Sequence, residues 1–249
     1  MNPKNIKISY DFKLPDGTEE TFRLELDGMT LELRGNAPES LPAWTKLSFH
    51  KCQHCPLTTE THPHCPLAAN LANIVNRFDG IISYDTVQVV VTTDERVVSQ
   101  ETSAQRAIGS LMGLVMATSG CPYPAFLRPM ARFHLPVSNA EETIYRASSM
   151  YLLAQYFLRQ NGLPAKLELD GLTRIYENMQ IMNQYILERI RAATETDSSV
   201  NAVIILDVYA KTFELVIKKA LEHLRYLFEP YFQEAAKRWA ASQEESAEP

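Results

Sequence analysis

Ile6-Lys7-Ile8-Ser9-Tyr10-Asp11-Phe12 alternates apolar and polar residues without a break. A period of two puts Ile6, Ile8, Tyr10 and Phe12 on one face of a β-strand, so the stretch predicts a sheet with one buried side. Pro15-Asp16-Gly17 reads as a turn, and Thr21-Phe22-Arg23-Leu24-Glu25-Leu26 alternates again, which predicts a hairpin. Asp27-Gly28 predicts a second turn, and Met29-Thr30-Leu31-Glu32-Leu33 a third strand. The N-terminal reading is a small antiparallel meander over residues 1–48.

Past the meander the period changes. Leu67, Leu71, Ile74, Val75 and Phe78 recur at helical spacing, and Asp79-Gly80 stops the helix predicted over 66–78. Val87 to Val91 is β-branched and reads as a strand. Residues 103–119 predict a second helix, whose Gly109 and Gly113 stand four apart and imply close helix packing. An amphipathic helix over 140–160 opens with Glu141-Glu142, which favour the helix dipole, and stops at Asn161-Gly162-Leu163-Pro164. Leu172, Ile175, Met179, Met182, Ile186 and Ile190 recur at three and four, with Asp170 read as a cap. A polar turn over 195–199 precedes a last helix from 202 to about 239, bent near Pro230.

Residues 171–193 and 201–229 should pair as a long antiparallel hairpin. Residues 241–249 are small and acidic and read as a disordered tail. The expected class is α+β: the β meander (1–48), a cysteine-containing central segment (49–137), a C-terminal helical bundle with the long hairpin (138–240), and the tail.

Composition excludes several functions. A net charge of −6 with no Lys/Arg cluster argues against nucleic-acid binding. The most apolar run, residues 108–117, is too short to span a bilayer, and the N-terminal residues carry no apolar signal core. The expected location is the cytoplasm, where clustered cysteines are more often metal ligands than disulfides.

Those cysteines are the chemical lead. His-Cys-Pro-Leu occurs twice, at 54–57 and 64–67, within a stretch that holds Cys52, Cys55 and Cys65 among His50, His54, His62 and His64. Cys121 lies in Ser119-Gly120-Cys121-Pro122. Cys52 and Cys55 have the C-x2-C spacing by which one turn offers two sulfurs to one centre. Cys65 precedes a proline at a helix start, so it should be the N-cap, where backbone N–H groups favour a thiolate. Cys121 would be recruited from a separate helix end.

Four thiolates and three Cys-Pro pairs favour an iron–sulfur cluster of the [4Fe–4S] type on Cys52, Cys55, Cys65 and Cys121. Zinc is the competing metal, with His54 or His64 as alternative ligands. The bland reading is a buried Cys121 beside a solvated histidine-rich loop. A thiol enzyme using Cys65 with His62 or His64 is the weakest. Arg128 and Arg132 could offset cluster charge, although a solvated face comes first, and His134 reads as a packed or capping residue. No G-x-G-x-x-G, Walker loop, H-E-x-x-H or G-x-S-x-G is present.

At Lys51-Cys52-x-x-Cys55-Pro56-Leu57, Cys65-Pro66-Leu67-Ala68 and Ser119-Gly120-Cys121-Pro122 the chain resembles a bacterial protein family to which no function is assigned. The resemblance implies a bacterial source and no activity. The functional expectation is a redox- or metal-responsive component whose fully thiolate-ligated centre has no open position for Lewis-acid catalysis, so the reading leans against an enzyme. The alternative is a structural zinc protein whose hairpin mediates self-association, as a homodimer, or binding to a protein partner.

Overall fold

The computed structural model describes residues 3–38, 40–194 and 197–247. Its sheet has four antiparallel strands, two from the predicted hairpin and two from mid-chain. β1 (Ile6–Lys13) pairs with β2 (Glu19–Leu26) in the register Ile8↔Leu24 and Tyr10↔Phe22. Helix α1 (Pro66–Arg77) intervenes before β3 (Thr86–Thr93) and β4 (Val97–Ser103), and β3 returns to lie against β1. The order is β2-β1-β3-β4.

The period-two pattern explains which side is buried. Ile8, Tyr10, Phe12, Phe22, Leu24, Leu26, Val87, Val89 and Val91 all face one core, with the polar residues between them turned away. Over that face lie α1 and α2 (Ala104–Thr118), the latter nearly covered from end to end. Arg77 fastens α1 to β2: it pairs with Glu20, donates to the Thr21 carbonyl at 2.9 Å and lies 4.2 Å over the Phe22 ring.

The expected third strand at 29–33 does not form. The Asp27 carboxylate accepts from the N–H groups of Met29 and Thr30, both at 2.9 Å, and Leu31 takes a left-handed φ of 58°. A side-chain-closed turn therefore replaces the ladder, leaving one bridge between Leu26 and Leu33.

The helical half follows: α3 (Arg128–Arg132), α4 (Ala140–Gln160), α5 (Asp170–Arg191), α6 (Ser198–Leu224) and α7 (Glu229–Ala247). α4 opens on a capping box between Asn139 and Glu142. Asp170 is the first helical residue of α5 rather than its cap, which is Leu169. α5 and α6 form the expected hairpin, and Gly109 brings α2 against it: a Cβ there would sit 3.4 Å from the Ala202 carbonyl oxygen. The start of α6 is tied to α1 through Ser198, which donates to the Phe78 carbonyl at 2.9 Å.

The last helix is two, divided by a 3-10 turn (Arg225–Phe228) with Pro230 in the first turn of α7. The tail expectation is corrected as well, since α7 runs on to Ala247; Ala, Glu and Gln there are strong helix formers. Residues 248–249 of the expected tail, and 195–196 of the expected polar turn, lie outside the described residues. One hydrophobic core joins the sheet, α1, α2 and the α5/α6 hairpin.

Candidate functional site

The chain from Pro42 to Pro66 lies against α1 and α5. Its backbone is pinned at both ends of the cysteine loop. The Cys65 N–H donates to the Thr45 carbonyl at 2.8 Å, Leu47 N–H to the Pro63 carbonyl at 2.9 Å, and Lys46 bridges His64. Within the loop, Cys55 N–H donates to the Cys52 carbonyl at 3.0 Å, so the two thiols stand on one tight turn.

Cys65 is the N-cap of α1, with extended dihedrals and Pro66 at the first helical position, as the Cys-Pro pair predicts. Its carbonyl accepts from Ala69 N–H at 2.9 Å. Cys121 follows the end of α2, where Gly120 supplies a left-handed φ of 87° and reverses the chain. A Cβ on Gly120 would lie 3.8 Å from Pro66 Cβ, which places the Cys121 turn against the Cys65 cap. Asn70 spans the two turns, donating to the Pro66 carbonyl at 2.8 Å and the Ser119 carbonyl at 3.3 Å. Tyr123 draws in the third segment: its hydroxyl donates to the His54 carbonyl, and the two rings stack at 3.9 Å.

All four cysteines are thiols, without disulfides, and they interact electrostatically. Burial first, then the charges of Cys65 and Cys55, push the Cys52 thiol up to about 12, against a smaller opposing pull from Arg189. Burial also pushes Cys121 up to about 12, with Cys65, Cys52 and Cys55 adding to it and the Tyr123 backbone opposing. Cys52 and Cys121, held so high, are protonated at neutral pH and poor nucleophiles. Among the described residues, no group of three or more His, Cys, Asp or Glu side chains is preassembled as a metal-ion site. The thiols thus influence one another without closing around a single point.

Arg189, on α5, is the residue that sequence reasoning missed. It is 1% exposed, yet it carries a guanidinium into the core. Its Nη1 donates to the carbonyls of Trp44 at 2.7 Å and Lys46 at 2.9 Å, and Nη2 to Leu47 at 3.3 Å; Nε has no hydrogen-bond partner. No carboxylate pairs with it among the described residues. Burial lowers its pKa, and Cys65, Cys52 and Cys55 oppose that, so the groups that favour its charge are the thiols. The signal was present in the sequence: Met182, Ile186 and Arg189 keep the α5 apolar spacing, so a cation stands on a buried stripe.

The histidines are engaged unequally. His50 Nδ1 pairs with Glu188 at 2.9 Å, and His64 Nδ1 bonds the Thr45 hydroxyl at 2.7 Å. His62 bonds the neighbouring Thr61 hydroxyl at 2.9 Å. Both His54 ring nitrogens are shielded and lack a well-formed hydrogen bond. Burial lowers the His54 pKa, outweighing the nearby Asn178 backbone. Arg128 and Arg132 point elsewhere: Arg128 donates to Glu32 at 2.8 Å and the Thr30 carbonyl at 3.1 Å, and Arg132 lies 4.0 Å from Glu95. Neither supplies charge to the thiols.

Among the described residues no helix is long and apolar enough to cross a membrane. No curated protein and no solved structure matches the chain. Residues 8–229 match the domain of unknown function DUF6901. That match takes in the sheet, all four cysteines and the α5/α6 hairpin, and the chain belongs to the DUF6901 family.

Proposed function

We propose that the protein binds a metal centre through the thiolates of Cys52, Cys55, Cys65 and Cys121, and that it acts as a redox- or metal-responsive component of the cytoplasm. The observation that carries this reading is Arg189. A buried guanidinium without a carboxylate is costly; its three carbonyl hydrogen bonds offset part of that cost, and an anion held close to it would offset more. Neutral thiols are not that anion. Four thiolates around either an iron–sulfur core or a zinc ion form a negative centre in the right place, and they also lose the proton that burial otherwise keeps on them.

The donor set fits either metal. A [4Fe–4S] cluster is preferred on the count of four cysteines and on the three Cys-Pro pairs. Such a centre supplies one-electron chemistry. The chain's own residues cage it: Tyr123 and His54 stack beside the 52–55 turn, Arg189 holds its countercharge, and every thiol is used. No position remains for substrate.

Anaerobic purification with iron, sulfide and zinc analysis tests this. A brown protein with iron and sulfide supports the cluster; a colourless protein with one zinc per chain moves the reading to a structural zinc site. A metal-free protein refutes both. Cys121→Ser should abolish metal binding, and unchanged metal content would turn the fourth position over to His54 or His64.

Self-association belongs to the same proposal. α7 and the 3-10 turn before it expose Tyr226, Tyr231 and Trp239 at 68%, 74% and 69%. An apolar run of this kind at the end of the hairpin suits a second copy of the chain, as a homodimer, or a protein partner.

A further inference from the structure

A cavity of about 200 Å³ lies among α2, α3, α4, α5 and α6. For scale, an apolar cavity of about 150 Å³ can hold benzene. Half of the chain's eight methionines, Met116, Met130, Met179 and Met182, line it. Unbranched thioethers adapt to the shape of an apolar guest. Gly113 thins the wall on α2, where a Cβ would touch only Leu206 Cδ2 at 3.5 Å.

Among the polar residues of this lining, Arg146 and Asn183 carry the argument. At one end, Arg146 from α4 donates through Nη2 to the carbonyls of Met130 at 2.8 Å and Phe133 at 2.9 Å. No carboxylate forms an ion pair with it among the described residues. Glu142, the acid on the same face of α4, is held by the Asn139 N–H at 2.8 Å. His134 lines the same cavity and is held neutral, its Nε2 bonded to the Tyr10 hydroxyl. This end carries two guanidinium groups: Arg106 donates to the Val137 carbonyl at 3.1 Å, and the Glu142 carboxylate favours the Arg146 charge without an ion pair to it. The other feature is Asn183 on α5, 2% exposed, whose Oδ1 lines the cavity region without a hydrogen-bond partner. A buried amide oxygen in that state calls for a donor.

Tyr176, the α5 residue electrostatically coupled to Arg146, and Asn183 are seven residues apart on one helix face. At 1.5 Å per residue that is about 10 Å. Carbon–carbon bonds of about 1.5 Å at tetrahedral angles advance about 1.3 Å each, so roughly eight carbons match the rise from Tyr176, beside Arg146, to Asn183. We propose that this cavity binds a medium-chain carboxylic acid with a hydroxyl at its far end. The carboxylate pairs with Arg146, the chain lies along the methionines, and the hydroxyl donates to Asn183 Oδ1. No cysteine lines the cavity, and the proposal does not depend on the metal reading.

Isothermal titration of the purified protein with 8-hydroxyoctanoate, octanoate and octylamine tests it. The hydroxy acid should bind one per chain, about tenfold more tightly than octanoate, as one well-placed hydrogen bond allows. Octylamine should not bind. Asn183→Leu replaces an unpaired amide with an apolar group of similar size, so it keeps the fold; it should erase the tenfold preference and leave octanoate affinity and metal content unchanged. Arg146→Met should abolish binding of both acids, checked for folding by circular dichroism. Absence of saturable acid binding, octylamine binding as tight as the acids, or a hydroxyl preference that survives Asn183→Leu overturns the proposal.

Discussion

His134 should make the protein acid-sensitive by a calculable amount. Its Nε2 accepts from the Tyr10 hydroxyl, which bonds Ser110 Oγ at 2.9 Å, and Ser110 Oγ in turn accepts from Val137 N–H at 2.9 Å. Burial raises the Tyr10 pKa, so Tyr10 stays a donor and the imidazole must stay an acceptor. Burial first, and the Arg146 cation second, push His134 down to about 3. Among the described residues, the ionisable groups around it are Tyr10 on β1, Arg106 on α2, Arg146 on α4 and Tyr176 on α5, and none is a carboxylic acid that could favour the imidazolium. An unfolded histidine titrates near 6.5, so on acidification the unfolded chain takes up the proton first. Stability from this group is therefore complete above about pH 6.5 and is lost as the pH falls from there toward about 3. Between pH 6.5 and 5.0 the loss integrates to about 1.6 kcal/mol, set by protonation of the unfolded state alone. Urea unfolding at the two pH values, on wild type and on His134→Gln, isolates it, because carboxylates common to both chains cancel in the difference. The wild type should lose about 1.6 kcal/mol more than the variant across this interval. Equal losses would refute a neutral, desolvated His134.

Arg189→Met should lower metal occupancy or shift its midpoint potential, because the centre loses its countercharge; Arg189→Lys should restore it only in part, since an ammonium cannot span three carbonyls as the guanidinium does. Metal analysis and redox titration check both. Chelator treatment should speed hydrogen exchange at the Leu47 and Cys65 amides, whose acceptors on Pro63 and Thr45 belong to the segment that Arg189 pins; unchanged protection would separate the clamp from the thiols. Gly171→Ala should cost about 1–3 kcal/mol in thermal or urea unfolding, because its Cβ would meet the Tyr151 hydroxyl and the ring carbon Cζ at 2.9 Å. Tyr231→Glu with Trp239→Glu should shift the chain to monomer in analytical ultracentrifugation if α7 forms the homodimer contact, and an unchanged mass would place the interface elsewhere.

What the sequence could show followed from how far each determinant lies along the chain. Helix α4 is legible to the residue because its capping box and its Asn-Gly stop are local. Cys65 as an N-cap is legible for the same reason, through the adjoining proline. The sheet was read short. β4 presents only Val97 and Val98 as apolar residues and is an edge strand, so its pattern is too polar to stand out. The false strand at 29–33 alternates correctly, but Asp27 captures two of its N–H groups first. Alternation reports which face would be buried; it is silent on a side chain that outcompetes the ladder.

Arg189 and Arg146 mark the deeper limit. Each is a charged residue on a helix, a pattern that ordinarily means solvent, and each instead spends its donors on main-chain carbonyls of a remote segment: residues 44, 46 and 47 for the first, 130 and 133 for the second. Carbonyl dipoles hold a guanidinium in place without cancelling its charge. The remaining field is directed by the fold, toward the Cys65, Cys52 and Cys55 thiols in one case and an apolar cavity in the other. Because α5 contributes to both, through Arg189 at one and Asn183 at the other, occupancy of either bears on the same helix. A rigid α5 would leave the sites independent, whereas a shift of its register would couple them, and the two buried cations are the groups that would feel it first.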